Sequence, residues 1–180
     1  MTRLLLVGGG HAHAVVLRQF AGFPAREFQL RLVTPHPLHT YSGMVPGVVA
    51  GHYQAADARI DLARPAARAG VELILGEVRR LNADAKQVEL ASGETFDYDV
   101  VSLNLGSMPE GTRAHAIAVK PFESFFARWR WLLENGPKAP RIAVVGAGAG
   151  GVELAMAMKY ALDQRGTGSS VVLFSERNAF

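Results

Sequence analysis

Short apolar runs alternate with amphipathic stretches along this chain, which is the pattern of an α/β protein. Runs rich in Leu, Val and Ile predict buried parallel strands at residues 4–7, 30–33, 71–75, 100–103, 142–145 and 171–174. Stretches with helical spacing predict helices at residues 11–20, 59–69, 122–133 and 152–162. The sequence therefore predicts a Rossmann-like α/β fold built on a parallel sheet.

Between residues 78 and 98 the pattern changes to three short alternating runs, at residues 78–81, 87–90 and 95–98. Turn residues separate them, Asn82-Ala83-Asp84 after the first run and Ser92-Gly93 after the second. Alternation interrupted by tight turns is typical of antiparallel strands. We expect a three-stranded β-meander inserted in the parallel sheet.

A glycine-rich turn follows the predicted strand at residues 142–145. Gly146, Gly148 and Gly151 have the spacing G-x-G-x-x-G between an apolar strand and a helix. The first glycine permits the tight turn, the second leaves room for a pyrophosphate, and the third lets the helix pack close to the strand. Free N–H groups at the helix start attract the phosphate charge. This segment therefore predicts dinucleotide binding.

The beginning of the chain repeats this arrangement. The strand at residues 4–7 is followed by Gly8, Gly9 and Gly10, whereas His13 occupies the third glycine position. Two copies predict two nucleotide-binding domains. We expect a first domain at residues 1–136, a linker at 137–140 and the first βαβ unit of a second domain at 141–180. A unit of about 40 residues can hardly bury its own core, so the second Rossmann unit is expected to be truncated.

Two glycine turns at this separation resemble the pyridine nucleotide oxidoreductases in which the first turn holds FAD and the second holds NAD(P)H. The motifs at residues 41–47 (Tyr-Ser-Gly-Met-Val-Pro-Gly) and 98–101 (Tyr-Asp-Val-Val) resemble the type II NADH dehydrogenases. With Gly-Gly-Gly-His-Ala-His at residues 8–13, the chain is most similar to the flavoprotein module associated with selenophosphate synthetase (selenide, water dikinase). The resemblance covers all 180 residues, but only the N-terminal half of such an enzyme.

The resemblance implies an FAD site at the first turn, with His11 beside the glycines. An Asp or Glu is usual about 20 residues after such a turn, where it binds the adenosine ribose. The sequence has Thr34 there, which can make one hydrogen bond to a ribose hydroxyl. Asn104 and Gly106 follow a predicted parallel strand, so their loop is expected on the cofactor side of the sheet.

Residues 35–51 are rich in proline, glycine and histidine, which suits an ordered loop better than a long helix. The resemblance implies that this segment runs beneath the flavin, with Met44, Val45 and Pro46 against the isoalloxazine ring. A surface loop with an apolar anchor is the alternative.

For the second cofactor, the ribose-binding position falls within Ser175-Glu176-Arg177. Glu176 favours NADH, whereas Ser175 with Arg177 favours the 2′-phosphate of NADPH, and the choice stays open. The resemblance implies that Glu153 lies near the nicotinamide and acts in catalysis. The alternative is that Glu153 only stabilises the first turn of its helix.

The predicted helix at residues 122–133 has an apolar face of three Phe, one Trp and one Leu. This face suits a membrane or partner contact, or packing on its own domain. We expect packing on its own domain.

The composition of the chain argues against several classes of function. The chain has 49% hydrophobic and 19% charged residues, a net charge of +3 and no basic block, which argues against nucleic-acid binding. It has no cysteine, so a redox disulfide or a cysteine metal site cannot form within these residues. The six histidines show no metal-ligand spacing beyond His11 and His13, which would point apart on a helix. No apolar run is long enough to span a membrane, so a cytoplasmic protein is expected, with peripheral membrane contact and a homodimer left open.

The expected function is an FAD-dependent NAD(P)H oxidoreductase. Hydride would pass from the nicotinamide to the flavin and then to a small-molecule acceptor such as a quinone. The alternative is a nucleotide-binding or partner module without turnover, linked to selenophosphate synthesis. This segment alone can be inactive.

Overall fold

The computed structural model describes residues 1–22, 27–109, 116–166 and 168–175. Its strands are, in chain order, β1 (Thr2–Val7), β2 (Phe28–Thr34), β3 (Leu38–Thr40), β4 (Arg59–Asp61), β5 (Glu72–Leu75), β6 (Val78–Asn82), β7 (Gln87–Leu90), β8 (Thr95–Asp97), β9 (Val100–Leu103), β10 (Arg141–Val145) and β11 (Ser170–Phe174). Its α-helices are α1 (His11–Gly22), α2 (Val45–Ala50), α3 (Ala63–Arg68), α4 (Phe122–Asn135) and α5 (Ala149–Asp163).

By their internal contacts these elements form two compact units. The first unit comprises Met1–Tyr41 and Arg59–Ser107, and the second comprises Ser42–Ala58 and Met108–Phe180. Helix α4, which the sequence assigned to the first domain, packs within the second unit. The boundaries at residues 137–140 remain a prediction about domains.

The first unit is built on a parallel sheet with the strand order β5-β2-β1-β9. Apolar side chains on both faces of β1 and β2 bury these central strands, as a parallel sheet requires. The α/β fold class and the parallel sheet are therefore confirmed.

The two faces of this sheet are covered by different elements. On one face, apolar residues of helices α1 and α3 pack against Leu6 and Leu32. On the other, the antiparallel strands β6, β7 and β8 form the predicted β-meander, and Val88 and Phe96 pack against Leu5. The meander therefore takes the place that a second helical layer has in a fold with helices on both faces.

The predicted helix at residues 59–69 is partly wrong. Residues Arg59–Asp61 form β4, which pairs antiparallel with β3, and the helix α3 begins only at Ala63. Asp61 precedes the helix, where its carboxylate accepts a hydrogen bond of 2.9 Å from the backbone N–H of Ala63. Pro65 lies inside the first turn of α3, where a missing backbone N–H is tolerated.

The segment predicted as a loop at residues 35–51 is more regular than expected. It contains β3, a single 3₁₀ turn at Ser42–Met44 and the helix α2. Pro46 lies in the first turn of α2, where a missing N–H costs nothing, and Gly51 ends the helix with a φ of +85°. The same prolines and glycines that suggested a loop therefore delimit a short helix.

The second unit has its core between helices α2, α4 and α5. Val45 and Val49 of α2 pack with Phe125, Phe126 and Trp129 of α4, and five residues of α5 complete this cluster. The indole N–H of Trp129 donates a hydrogen bond of 3.1 Å to the backbone oxygen of Val49. Helix α4 thus buries its aromatic face within this unit, against α2, which was predicted to lie in the same domain, and against α5, which was predicted to lie in the next one.

An ion-pair cluster joins β1 and β9 at the edge of the sheet that lies opposite the glycine turn. The Arg3 guanidinium donates to Asp99 at 3.0 Å and lies 3.3 Å from Asp97. The backbone N–H of Arg3 also donates to the Asp99 carboxylate, at 2.7 Å. These bonds favour the ionised form and lower the pKa of Asp99 to about 2.

Within the described ranges, no helix is long and apolar enough to cross a bilayer.

Candidate functional site

A cleft of about 330 Å³ lies at the carboxyl edge of the parallel sheet in the first unit. Every strand of the sheet contributes to it: Gly8, Gly9 and Gly10 follow β1, Thr34 ends β2, Glu77 lies just beyond β5, and Asn104 with Gly106 follows β9. In an open parallel sheet this edge is where ligands bind. Six predicted site residues therefore line one cleft: Gly8, Gly9, Gly10, Thr34, Asn104 and Gly106.

The first glycine turn is held between both neighbouring strands. Gly8 has a φ of +92°, a left-handed conformation that favours glycine, and its N–H donates to the backbone oxygen of Val33 at 2.8 Å. On the other side, the N–H of Asn104 donates to the backbone oxygen of Val7 at 2.8 Å. A Cβ added at Gly10 would lie 2.5 Å from the Asn104 side-chain amide. The turn and the loop after β9 therefore form one close-packed cradle.

This cradle has a donor that protein groups leave unused. The side-chain nitrogen Nδ2 of Asn104 is buried and has no hydrogen-bond partner among the described residues. An unpaired buried donor is costly, so a ligand with acceptor oxygens is the expected partner. Helix α1 starts at this turn with no acidic residue in its first turn, which leaves its N-terminal N–H groups for an anion. The residues present therefore fit the diphosphate of a dinucleotide such as FAD.

His13, which takes the third glycine position, is buried and hydrogen-bonded at both ring nitrogens. Nδ1 lies 2.6 Å from the backbone oxygen of Gly8, and Nε2 lies 2.9 Å from the hydroxyl of Ser102. A carbonyl only accepts, so Nδ1 carries the proton and the Ser102 hydroxyl donates to Nε2. Burial lowers the pKa of His13, which keeps the ring neutral. His13 thus connects the glycine turn to β9, a role that sequence spacing did not reveal.

Thr34 faces inward at the end of β2. It is 4% exposed, and its hydroxyl donates a hydrogen bond of 3.2 Å to the backbone oxygen of His36. A Cβ added at Gly9 would lie 2.9 Å from the Thr34 hydroxyl oxygen. The hydroxyl proton of Thr34 is therefore used by the protein, and its oxygen can only accept from a ligand. Its contact with a ribose remains a prediction.

The other predicted FAD contacts lie outside this cleft. His11 is exposed at the start of α1, and its ring stacks on Tyr41 with 4.7 Å between the centroids. Met44, Val45 and Pro46 belong to the second unit, where Val45 is 2% exposed within the apolar core. Met44 and Pro46 are half-buried. Contact of these three residues with a flavin remains a prediction.

The second glycine turn joins β10, which pairs in parallel with β11, to α5. Gly146 has a φ of +107°, and its N–H donates to the backbone oxygen of Phe174 at 2.9 Å. A Cβ on Gly151 would collide with the backbone oxygen of Gly146, whereas no atom lies within 4 Å of a Cβ on Gly148. The turn therefore has the close helix contact predicted for Gly151 and the open space predicted for Gly148.

The two acidic residues predicted at the second cofactor site are Glu153 and Glu176. Helix α5 begins at Ala149, three positions earlier than predicted, so Glu153 lies beyond the first turn and the dipole explanation for an acid there is wrong. Glu153 is exposed, and its proposed catalytic role remains a prediction. Glu176 lies outside the described residues, as does Arg177.

Sequence reasoning missed several residues that line the cleft. Among them are Glu77, which follows β5, and the two histidines His36 and His39. The rule that placed Asn104 at the site also applies to β5, since both strands end at the same edge of the sheet. Applying that rule to every predicted parallel strand would have found Glu77.

Comparison with solved structures shows the same fold in several oxidoreductases. An NAD-dependent persulfide reductase from A. fulgidus matches with a TM-score of 0.75 and 17% identity, over 97% of this chain and 34% of that one. The sulfide:quinone oxidoreductase from the hyperthermophilic bacterium Aquifex aeolicus matches with a TM-score of 0.70 and 18% identity, over 93% and 41%. NDH2 from Plasmodium falciparum in complex with NADH matches with a TM-score of 0.67 and 14% identity, over 96% and 41%.

This chain thus spans about two-fifths or less of the length of these three structures. A search of curated protein sequences gives no significant match. The family comparison is more informative, because it covers nearly the entire chain. Residues 2–179 match the model described as pyridine nucleotide-disulphide oxidoreductase, so the chain belongs to this family, and the expected cofactor classes, FAD and NAD(P)H, are confirmed.

Proposed function

We propose that this chain is the FAD-binding part, with the beginning of the NAD(P)H-binding part, of a flavin-dependent NAD(P)H oxidoreductase. The observation that supports this most is the cradle formed by Gly8, Gly10 and Asn104. It combines close backbone approach, a free helix start and a buried unpaired donor at the edge where this fold binds nucleotides.

In this proposal the first unit holds the FAD diphosphate through the turn of Gly8, Gly9 and Gly10. The turn of Gly146, Gly148 and Gly151 holds the diphosphate of NAD(P)H. When bound, the two cofactors would supply the hydride-transfer chemistry between nicotinamide and flavin. The protein binds and orients them, and Glu153 is the candidate for a group beside the nicotinamide.

The electron acceptor in this proposal is an external small molecule such as a quinone. The 180 residues contain no cysteine, so no redox disulfide can take electrons within them. One structure with the same fold is named as a sulfide:quinone oxidoreductase, which makes a quinone a reasonable first acceptor to test. Peripheral contact with a membrane would bring the protein to such an acceptor.

The second candidate is a nucleotide-binding module without turnover that acts with selenophosphate synthetase. It is favoured by the motif at residues 41–47, which resembles the flavoprotein module associated with that enzyme. In this case the chain binds FAD but NADH does not reduce it.

Colour and anaerobic reduction separate the two candidates. The purified full chain is titrated with FAD, and uptake is measured by flavin fluorescence and absorbance. NADH is then added without oxygen. Bleaching of the flavin supports the oxidoreductase, stable yellow colour supports the module without turnover, and a colourless protein that takes up no FAD contradicts both.

A charge variant tests the site itself. Asn104→Asp replaces the unpaired donor with a carboxylate facing the diphosphate, so the Kd for FAD is expected to rise by about a hundredfold. Asn82→Asp is the matched control, because its oxygen accepts from the Ala85 N–H in the meander and the charge change is the same. Equal FAD affinity in both variants would contradict the assignment of this cleft.

A further inference from the structure

The adenosine half of a dinucleotide bound in this cleft would extend along one side of the sheet edge. In this fold the diphosphate binds at the turn after the first strand, and the ribose binds at the end of the next strand. The strand order β5-β2-β1-β9 means that the cleft continues from β1 over β2 to β5. The ends of β2 and β5 are therefore the places from which a side chain can reach the ribose.

The end of β2 has no carboxylate. Thr34 is buried there, and its hydroxyl already donates to the backbone oxygen of His36. A ribose presents two adjacent hydroxyls, and Thr34 offers them one hydroxyl oxygen that is almost fully buried, whereas a carboxylate offers two oxygens. The usual acceptor is thus missing from its usual strand.

Glu77 provides a carboxylate from the neighbouring strand. Thr34 is paired with Leu75 in the sheet, and the N–H of Gly76 donates to the backbone oxygen of Thr34 at 3.0 Å. The backbone oxygen of Glu77 accepts from the N–H of Ala91 in the meander at 2.8 Å. The main chain is therefore fixed on both sides of Glu77, directly beside the end of β2.

The Glu77 side chain is available for a ligand. It is exposed, and it is the one acid among the described residues that line this cleft. No ion pair or side-chain hydrogen bond engages its carboxylate within the described part of the chain. A carboxylate has two oxygens that can accept in parallel, which matches two neighbouring hydroxyls.

We propose that Glu77 binds the ribose hydroxyls of the adenosine in the first cofactor. The inference rests on the proposed function, since it takes FAD as the ligand of this cleft. In this proposal the acid that binds the ribose lies at the end of β5, whereas this fold usually has it at the end of β2. The proposal predicts that a chain with Thr34 in place of an acid selects a ribonucleotide through Glu77.

The test compares ligands that differ only in these hydroxyls. The full chain is freed of flavin, and the affinities for FAD, ADP and 2′,3′-dideoxy-ADP are measured by titration. Wild type is expected to prefer ADP over the dideoxy compound by about tenfold or more, because hydrogen bonds to a charged group are lost. Glu77→Gln and Glu77→Ala should reduce this preference below about threefold, while affinity for dideoxy-ADP stays unchanged.

Glu94→Gln is the matched control, because Glu94 is an exposed carboxylate in the meander, outside the residues that line the cleft. It should retain the full preference, and thermal unfolding of each variant shows that it folds. A Glu77→Ala protein with the wild-type preference would overturn the proposal. Wild type that binds FAD without preferring ADP would also overturn it and leave the proposed function standing. Wild type that binds neither FAD nor ADP would defeat the proposed function itself.

Discussion

The two glycine turns differ in how far their glycines are buried by neighbouring strands. The second turn has all three glycines of the motif, yet within the described part of the chain Gly146 and Gly148 are exposed beside the strand pair of β10 and β11. The first turn departs from the motif at His13, yet its three glycines are buried between strands and beside a cleft. Agreement with a motif and completeness of a site are therefore separate properties.

The third position explains how the imperfect turn can work. In the second turn, Gly151 is required because a side chain would collide with the Gly146 oxygen. In the first turn, the His13 ring reaches the corresponding Gly8 oxygen and binds it. One turn is stabilised by the absence of a side chain and the other by its hydrogen bonds.

The largest effect is expected where the helix touches the second turn. Gly151→Ala places a Cβ against backbone that cannot move independently, so the free energy of unfolding should fall by about 3 kcal/mol. Gly150→Ala is the matched control, because nothing lies within 4 Å of its Cβ. It should leave stability unchanged or raise it by up to about 1 kcal/mol. Urea unfolding of both variants measures the difference, and similar values would contradict the close contact.

A smaller effect is expected for the histidine of the first turn. His13→Ala removes two buried hydrogen bonds and should lower the free energy of unfolding by about 2 kcal/mol. His11→Ala, two positions away and exposed, should change it by less than about 0.5 kcal/mol. Equal losses in the two variants would show that His13 does not secure the turn.

The same residue predicts a pH dependence. Because burial lowers the pKa of His13 below 6.5, the folded state favours the neutral ring. The contribution of His13 to the free energy of unfolding is complete above about pH 6.5. It falls as the pH decreases from there towards the lowered pKa. The stability difference between wild type and His13→Ala should therefore narrow in acid, as measured by urea unfolding from pH 7.5 to 5. A constant difference would contradict this.

The smallest effect on stability is expected at the middle glycines. Gly10→Ala displaces the Asn104 amide, a flexible group, so it should cost about 1 kcal/mol of stability but raise the Kd for FAD about tenfold. Gly148→Ala meets open space and should leave both quantities unchanged. FAD titration with thermal unfolding checks this, and a Gly148→Ala protein that loses FAD would reverse our assignment of the two turns.

Much of the fold follows from local sequence patterns. Apolar runs of four or five residues predict the buried parallel strands, and alternation with tight turns predicts the meander, since both signals lie within a few residues. The pairing of β3 with β4 was not predictable in this way, because the two strands are distant in sequence and only three residues long. The position of α2 in the core was not predictable either, because α2 packs against α4 and α5, which are distant in sequence.

The candidate site also has residues that local sequence patterns identify and residues that they do not. Gly8, Gly10 and Asn104 were predictable, because motif spacing and strand ends identify them. The roles of His13 and Glu77 depend on which strands become neighbours in the sheet. Ser102, which binds His13, is 89 residues away in the sequence. A single sequence does not contain that information in local form.

The order of the strands also has a consequence during translation. β1 is made well before its neighbour β9: Asp99, the ion-pair partner that directly precedes β9, lies 96 residues later than Arg3. At about 5–20 residues per second, one edge of β1 stays unpaired for roughly 5 to 20 seconds. A flavin site that needs Asn104 beside the glycines would therefore be complete only after β9 has been made, and until then one edge of β1 would be open to pairing with other chains.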